Sequence, residues 1–486
     1  MLSPRPTCRP RRAALPRGLR APVASLLILA LLGCAGPAVP PDSTLPPLHP
    51  VPAGADQGPP GQATASPPAP AHRPPAPASA VLASRYLAVV DAGSSGTRLH
   101  LYQSQPDGRF VTVRELFSHA QAPHPLAWYN GSNGPGSEPD AAGPAGLQPL
   151  LKRLQDQLQA HGLAPAQVQV DVLATAGMRL LPAATADAIY ASVRATLARQ
   201  GFSTGEVRTL SGRDEGLYAW VDLNYLQGRF HRQEATEGVV EVGGASAQVA
   251  FALPADAAAA APRQAPQLSE HEINGVRYTV FALSYLGLGQ NQARQAMLQH
   301  PASGGTEANV CYPQHSGATP QRYQTDLRGL SVLARGSRYS TQCRQVYESV
   351  VQQAGASPIN AYPVPQVAQQ AGFAQTRFVG LSSVYYAFRD WGALNAPSPA
   401  QALQERLDQQ CGGADAWARV LSQFRQQANV FTQNACANGS FMLAYLYSPQ
   451  GLGLRSDQLR ALGRVQGQEP SWTRGRVVLQ TAQPTR

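Results

Sequence analysis

Asp91-Ala92-Gly93-Ser94-Ser95-Gly96-Thr97-Arg98 decides the fold, because a second loop of the same kind, Glu241-Val242-Gly243-Gly244-Ala245-Ser246-Ala247-Gln248, follows about 150 residues later. Each loop ends a short apolar run of β type, Tyr86-Leu87-Ala88-Val89-Val90 before the first and Gly238-Val239-Val240 before the second. Glycines let backbone approach a ligand, successive N–H groups and small hydroxyls bind anionic oxygens, and a carboxylate at a strand's end can hold the water shell of a divalent cation. Two such loops facing each other form a clamp for a metal-bound polyphosphate.

Outward from the loops, strands and helices alternate. Strands are expected at Arg98–Tyr102, Val168–Leu173 and Glu206–Leu210, with helices at Leu147–Ala160, Thr185–Gln200 and Asp214–Leu226. Further helices are expected at Tyr285–Gln299, Ser382–Trp391 and Pro399–Gln409, and the apolar stretch Gly439–Tyr447 is read as a return to the first half. The glycine-rich segment Tyr129–Gly146 reads as irregular or ligand-adjacent. Alternation of this kind implies an α/β sheet in each half, and so two similar lobes with a cleft between them.

Length and charge narrow the class. The 486 residues suffice for two domains with substantial cores. A formal charge of +10 suggests nucleic acid, but Arg5, Arg9, Arg11, Arg12, Arg17 and Arg20 crowd the extreme N-terminus. The remaining charge forms no dense basic stripe interleaved with aromatics, which argues against nucleic-acid binding.

Those arginines, the apolar run Ala24–Leu32 and Gly33-Cys34 read as an export signal that is too short for a membrane span. Leu31-Leu32-Gly33-Cys34 is similar to a bacterial lipoprotein box, so 1–33 is a signal peptide and Cys34 carries lipid. Ala35 after the cysteine leans toward the outer membrane, on its periplasmic or surface face. Residues 34–84, rich in Pro and Ala, form a tether. Export also implies an oxidising compartment. The cysteines left, Cys311, Cys343, Cys411 and Cys436, allow three pairings, of which the sequential one closes the shortest loops. A zinc site has no C-x-x-C pair or histidine cluster to support it.

Four ordered segments carry a family resemblance: Val89–Tyr102, Leu173–Leu181, Leu210–Leu226 and Gly238–Gln248, with weaker echoes at Leu381–Tyr386 and Cys436–Leu446. Together they resemble the apyrase-conserved regions of the nucleoside triphosphate diphosphohydrolases (apyrases). The resemblance implies two ribonuclease-H-like lobes of the actin/Hsp70/sugar-kinase superfamily gripping a nucleotide, and hydrolysis without a covalent intermediate. The expected organisation is lobe I at 85–211 plus 447–483, and lobe II at 212–446.

By the same resemblance Glu215 is the general base, a carboxylate already ionised at its ordinary pKa. Alone, an acid in a helix's first turn would only complement the macrodipole. Ser246, Gln248 and Thr175 orient the attacking water. Ser94, Ser95, Gly96 and Thr97 form one phosphate loop, and Gly243, Gly244, Ala245 and Ser246 the other. Asp91 and Glu241 hold Ca²⁺ or Mg²⁺ through water. Tyr386 stacks on the nucleobase, while Gln290 stands where relatives carry an arginine for the base's other face. Two departures bear on rate and metal preference more than on fold: Glu241 replaces the family's aspartate, and Ala247 its threonine.

The expected partners are nucleoside tri- and diphosphates and, through the lipid, a membrane; no obligate protein partner is evident. The alternatives are a non-hydrolysing nucleotide-binding surface lipoprotein and an exopolyphosphatase of the same superfamily. A serine-hydrolase reading of Gly201-Phe202-Ser203-Thr204-Gly205 fails, because a helix precedes it and a strand follows, the reverse of a nucleophile elbow.

Overall fold

The structure is a computed structural model that describes residues 85–482, apart from 108–109, 121, 261–264, 315–321, 328–329, 337–338, 340 and 361. Cys34, the signal segment and the tether lie outside the described residues.

The first lobe contains β1 (Arg85–Ala92), β2 (Thr97–Asp107), β3 (Phe110–Ala120), α1 (Gln148–Ala160), β4 (Gln169–Ala174), the single turn α2 (Ala176–Arg179), α3 (Ala183–Arg199) and β5 (Ser203–Thr209). Its sheet has the order β3-β2-β1-β4-β5, antiparallel across the first three strands and parallel from β1 to β5. Next come α4 (Gly212–Leu226), α5 (Arg229–Arg232), β6 (Gly238–Val242), β7 (Ser246–Ala252), α6 (Ala255–Ala260), β8 (Leu268–Ile273), β9 (Val276–Leu286) and α7 (Gln290–Gln299). The chain continues through the hairpin β10 (Arg322–Leu327) and β11 (Leu330–Arg335), then α8 (Thr341–Ala356), β12 (Phe378–Ser382), α9 (Ser383–Asp390) and α10 (Pro399–Cys411). It closes with α11 (Ala416–Gln423), α12 (Val430–Gln433), α13 (Ala435–Tyr447), β13 (Leu459–Ala461) and α14 (Trp472–Ala482).

The second sheet runs β13-β12-β6-β7-β9-β8. Without β8, its pairings reproduce those of the first: β6, β7 and β9 antiparallel in turn, and β6, β12 and β13 parallel. The fold is therefore α/β with the same five-stranded unit used twice, the actin-like two-lobed architecture.

Strand pleating sorts side chains between three cores, since successive residues face opposite sides of a sheet. Ala88 and Val90 pack with Leu151 and Ile189 of α1 and α3, whereas Leu87 and Val89 join Trp220 of α4 and Val478 of α14. In the second lobe Val240 and Val249 enter a core of their own, and Val239 and Ala250 join the one built on α4 and α14. The two helices thus form a middle layer shared by both sheets. They cross so closely that a Cβ on Gly475 would lie 1.9 Å from Tyr218 O. Charge also locks this layer: the buried Arg474 guanidinium donates to Asp222 Oδ1 at 3.2 Å and to Glu115 Oε2 at 2.7 Å, and Arg476 donates to Asp171 Oδ2 at 2.5 Å.

Several expectations change. Tyr285 lies in β9, because the run before Gly287 completes the antiparallel pairing with β7; the helix begins only at Gln290. Gly439–Tyr447 belongs to α13, which is apolar on nearly every face and sits inside the second lobe's core instead of returning to the first. Residues 459–461 pair with β12, so the chain after 447 stays with the second lobe until α14 crosses back. Tyr129–Gly146 is ordered through short helical turns docked on α3, where Gly143 N donates to Ser192 Oγ at 3.0 Å. The sequential cysteine pairing, by contrast, is the one found: Cys311 is bonded to Cys343 and Cys411 to Cys436, with Cα–Cα separations of 4.9 and 6.0 Å.

Candidate active site

The pleat that places Leu87 and Val89 toward the middle layer carries Asp91 to the same side at the end of β1. In β6 and β7, Glu241, Ser246 and Gln248 likewise share the face of Val239 and Ala250. The strands accordingly bring both acidic loops to one cleft. A Cβ on Gly244 would lie 2.7 Å from Ser94 Oγ and 3.7 Å from Ser95 Cβ, so the loops face each other across it. Gly177, just past Thr175, approaches Ser94 from the side, with 3.0 Å between its Cβ position and Ser94 Cα. Thr175 itself is buried at the end of β4, its N–H donating to Ala92 O at 3.2 Å.

Helix α4 supplies the fourth wall. Ser211 caps it, its Oγ accepting from Asp214 N at 3.1 Å, and this holds Glu215 in the first turn, where the helix dipole favours an anion. Glu215 Oε2 accepts from Gln248 Nε2 at 3.1 Å and from Arg179 Nη2. Gln248 Nε2 also has Ser246 Oγ at 2.6 Å and Ser284 Oγ at 3.0 Å within reach, so its two protons are shared among three acceptors. Sequence reasoning missed Arg179 and Ser284. Arg179 stood inside a quoted motif, but Ser284 reaches the site only because β9 pairs it with Gln248, and nothing local signals that.

Burial dominates the electrostatics. It pushes Glu215 up to about 7; Arg179 pulls the other way, while Glu241 and Asp91 add repulsion. This corrects the ordinary carboxylate pKa expected from sequence. Asp91 is raised by burial despite Arg98 and His100, and Glu241 is raised by burial despite the hydrogen bond it accepts from Ser382 Oγ at 2.8 Å. Ser382 holds that hydroxyl from a backbone at φ 55°, ψ −123°, a conformation costly for a residue with a Cβ.

Among the described residues no group of three or more His, Cys, Asp or Glu is arranged around a single metal position. Two carboxylates can nevertheless hold a hydrated ion, and Asp91 Oδ1 is buried with no hydrogen-bond partner. An orphaned carboxylate oxygen among three mutually repelling acids suits a divalent cation.

Two expected roles change with placement. Thr97 is fully buried and its Oγ1 accepts from Leu126 N at 3.1 Å, so it braces the first loop from inside the lobe and does not line the cleft. Ala247 points into the second lobe's core, opposite Ser246 and Gln248, so the lost threonine hydroxyl does not open the cleft. Ser95, Gly96, Gly243 and Ala245 stay in the two turns, and Gly243 O accepts from Gln290 N at 2.8 Å. Tyr386 is half exposed on α9, the helix that begins immediately after Ser382; Arg389 lies over its ring, 4.8 Å from Cζ to the centroid.

Residues 81–485 match the GDA1/CD39 (nucleoside phosphatase) family. The chain belongs to that family and is an enzyme of nucleotide phosphate hydrolysis. It is 26% identical to ectonucleoside triphosphate diphosphohydrolase 1 of Rattus norvegicus over 80% of each chain. With the Golgi apyrase of Saccharomyces cerevisiae it shares 25% identity over 81% of this chain and 70% of that one. Against the nucleoside-triphosphatase ntp-1 of Caenorhabditis elegans the identity is 27%, over 47% of this chain and 43% of the relative. A crystal structure of nucleoside triphosphate hydrolases from Neospora caninum has the same fold, with a TM-score of 0.54 at 15% identity over 82% of this chain and 93% of that one.

Proposed function

We propose that the protein is a nucleoside triphosphate diphosphohydrolase, which cleaves the terminal phosphate of nucleoside tri- and diphosphates to leave a nucleoside monophosphate and orthophosphate. The observation that carries this reading is the placement of Glu215 beside Gln248 and Ser246, facing the gap between two opposed glycine loops.

Ser94, Ser95 and the backbone of Gly96, Gly243 and Gly244 bind the phosphate oxygens. A water held by Ser246, Gln248 and Thr175 gives its proton to Glu215 as its oxygen bonds to the terminal phosphorus. The bond from that phosphorus to the bridging oxygen breaks, and the shortened nucleotide leaves with the bond's electron pair. Asp91 and Glu241 would hold Ca²⁺ or Mg²⁺ through water, and such a cation would neutralise charge on the phosphates. Phosphoryl transfer asks mainly for positioning and charge neutralisation, so one base beside such a cradle suffices. A base with pKa about 7 is matched to neutral pH. Tyr386, with Arg389 on one face, offers its ring to the nucleobase, and stacking accepts any base.

The same reading keeps the protein exported and lipid-anchored at Cys34 in the outer membrane, a point checked by the mass of the mature N-terminus. Orthophosphate release by the full chain from ATP, ADP, GDP and polyphosphate, with Mg²⁺, Ca²⁺ or EDTA, tests the activity. Release from nucleotides should require the cation and fall on the order of 10²–10⁴-fold in Glu215→Ala. Binding without release would favour a nucleotide-binding lipoprotein, and preference for polyphosphate an exopolyphosphatase.

A further inference from the structure

Arg179 is the last residue of α2, yet its guanidinium leaves the first lobe. Nη2 donates to Glu215 Oε2 on α4, and Nη1 donates to Ser284 Oγ on β9 at 3.2 Å. The side chain is 16% exposed and its Nε has no hydrogen-bond partner. It therefore runs through protein as a strut from one lobe to the other. A third observation explains how it gets there. Gly212, at the start of α4, has no side chain where a Cβ would lie 2.6 Å from Arg179 Nη1 and 2.3 Å from Ser284 Cβ. The glycine in Ser211-Gly212-Arg213-Asp214-Glu215 is the opening through which the arginine passes.

We propose that Arg179 is a positioning residue for the general base: through the opening at Gly212 it engages one carboxylate oxygen of Glu215 and leaves the other for the attacking water. The donors are disposed for this. Oε2 receives both Arg179 and Gln248, whereas no protein donor to Oε1 is found among the described contacts. A fork that grips Glu215 and Ser284 together also fixes the carboxylate's plane, because the guanidinium is planar and rigid. The charges acting on Glu215 are Arg179 from α2, which favours the carboxylate, and Glu241 from β6 and Asp91 from β1, which oppose it; Arg98 pairs with Asp91 at 3.7 Å, which leaves Arg179 as the cation engaged with Glu215 itself. The arginine reaches the reaction through Glu215. It is not assigned to the phosphates.

The inference rests on the hydrolytic reading, and the test separates the two. Steady-state kinetics of nucleotide hydrolysis are measured for the full-length wild type, Arg179→Met, Arg179→Lys, Gly212→Ala and the double variant Gly212→Ala/Arg179→Met. If the wild type releases no phosphate, the hydrolytic reading has failed and not this one. If it does, Arg179→Met should lower kcat about 10²-fold, the scale of a misplaced catalytic group, with KM nearly unchanged. Arg179→Lys should recover part of the loss, since a single ammonium restores charge but not the fork. Gly212→Ala alters no ionisable group and should lower kcat in the same way. Added to Arg179→Met it should cost less than it does alone, the remainder coming from the displacement of Ser284, whose Cβ would lie 2.3 Å from the new methyl. Additive losses overturn the proposal, as does a rise in KM at constant kcat, which would make Arg179 a phosphate ligand. Should Arg179→Met fail to fold, Gly212→Ala alone decides: an unchanged kcat overturns the assignment.

Discussion

At Glu215 stability and chemistry pull in opposite directions. Burial lifts its pKa from the ordinary carboxylate value to about 7, so near neutrality it is poised to take a proton. Because the working form is the carboxylate, kcat/KM should show an acid limb, displaced below about 7 once a cation offsets Asp91 and Glu241, and Glu215→Gln should remove that limb together with most of the rate. The same shift sets a stability trend. A raised pKa means the folded state binds more protons than the unfolded one between the two values, so stability is lost as pH rises through about 7. In EDTA, Glu215→Gln should therefore melt higher than wild type at pH 8, and the difference should shrink towards zero as pH falls to the ordinary carboxylate range. A scan of melting temperature against pH for both proteins checks it; equal melting points at pH 8 would show that burial exacts no penalty there.

At the scale of elements, the middle layer of α4 and α14 decides how the lobes meet. Arg474 is buried on α14 between Asp222 of α4 and Glu115 of β3. Burial pushes Asp222 up to about 7 even though Arg474 and the Ser471 N–H draw it down. Removing the cation leaves that buried carboxylate with the Ser471 N–H, 2.7 Å from its Oδ2, but without its counter-charge. Arg474→Met also removes the group that draws Asp222 down, so its pKa should climb further, and the variant should cost about 3–5 kcal/mol at a pH above that raised value, where Asp222 would be a buried anion without its ion pair. The cost should be smaller at lower pH, where Asp222 can bind a proton. Urea midpoints at two pH values measure this, and a loss independent of pH would point to packing instead of charge.

At the scale of the whole molecule, the duplicated sheet places one acid at the end of each lobe's first strand, Asp91 and Glu241. Each lobe's carboxylate repels the other's. A ligand that neutralises both and bridges the two glycine loops should tighten the pair of lobes. Adding a non-hydrolysable nucleoside triphosphate with a divalent cation should raise the melting temperature of Glu215→Gln, with about 2.7 kcal/mol of stabilisation at a hundredfold excess over Kd. EDTA should reverse most of it. A nucleotide effect of equal size with and without the cation would remove Asp91 and Glu241 from the cation-binding role.

Much of this was legible in the chain itself. Two acidic glycine loops after apolar strands, with alternating strands and helices around them, imply a duplicated α/β fold without any contact being known. The frame Ser211–Glu215 marked the base only through the family resemblance, since capping and helix-dipole chemistry by themselves would make Glu215 no more than a complement to the macrodipole. What one sequence could not supply were quantities that depend on which strands become neighbours. Ser284 enters the site through register with Gln248, Arg179 by crossing between lobes past Gly212, and Ala247 leaves it by the pleat of β7. The pKa of Glu215 belongs to the same class, because desolvation and the charges of Asp91 and Glu241 exist only once the lobes are assembled. Sequence alone determined the loops, the α/β class and the polyphosphate–metal character of the cleft from local pattern and period, and the catalytic roles only through the family resemblance. Tertiary structure alone decided which groups touch the base and how charged it is, because those follow from burial and from contacts between residues far apart in the chain.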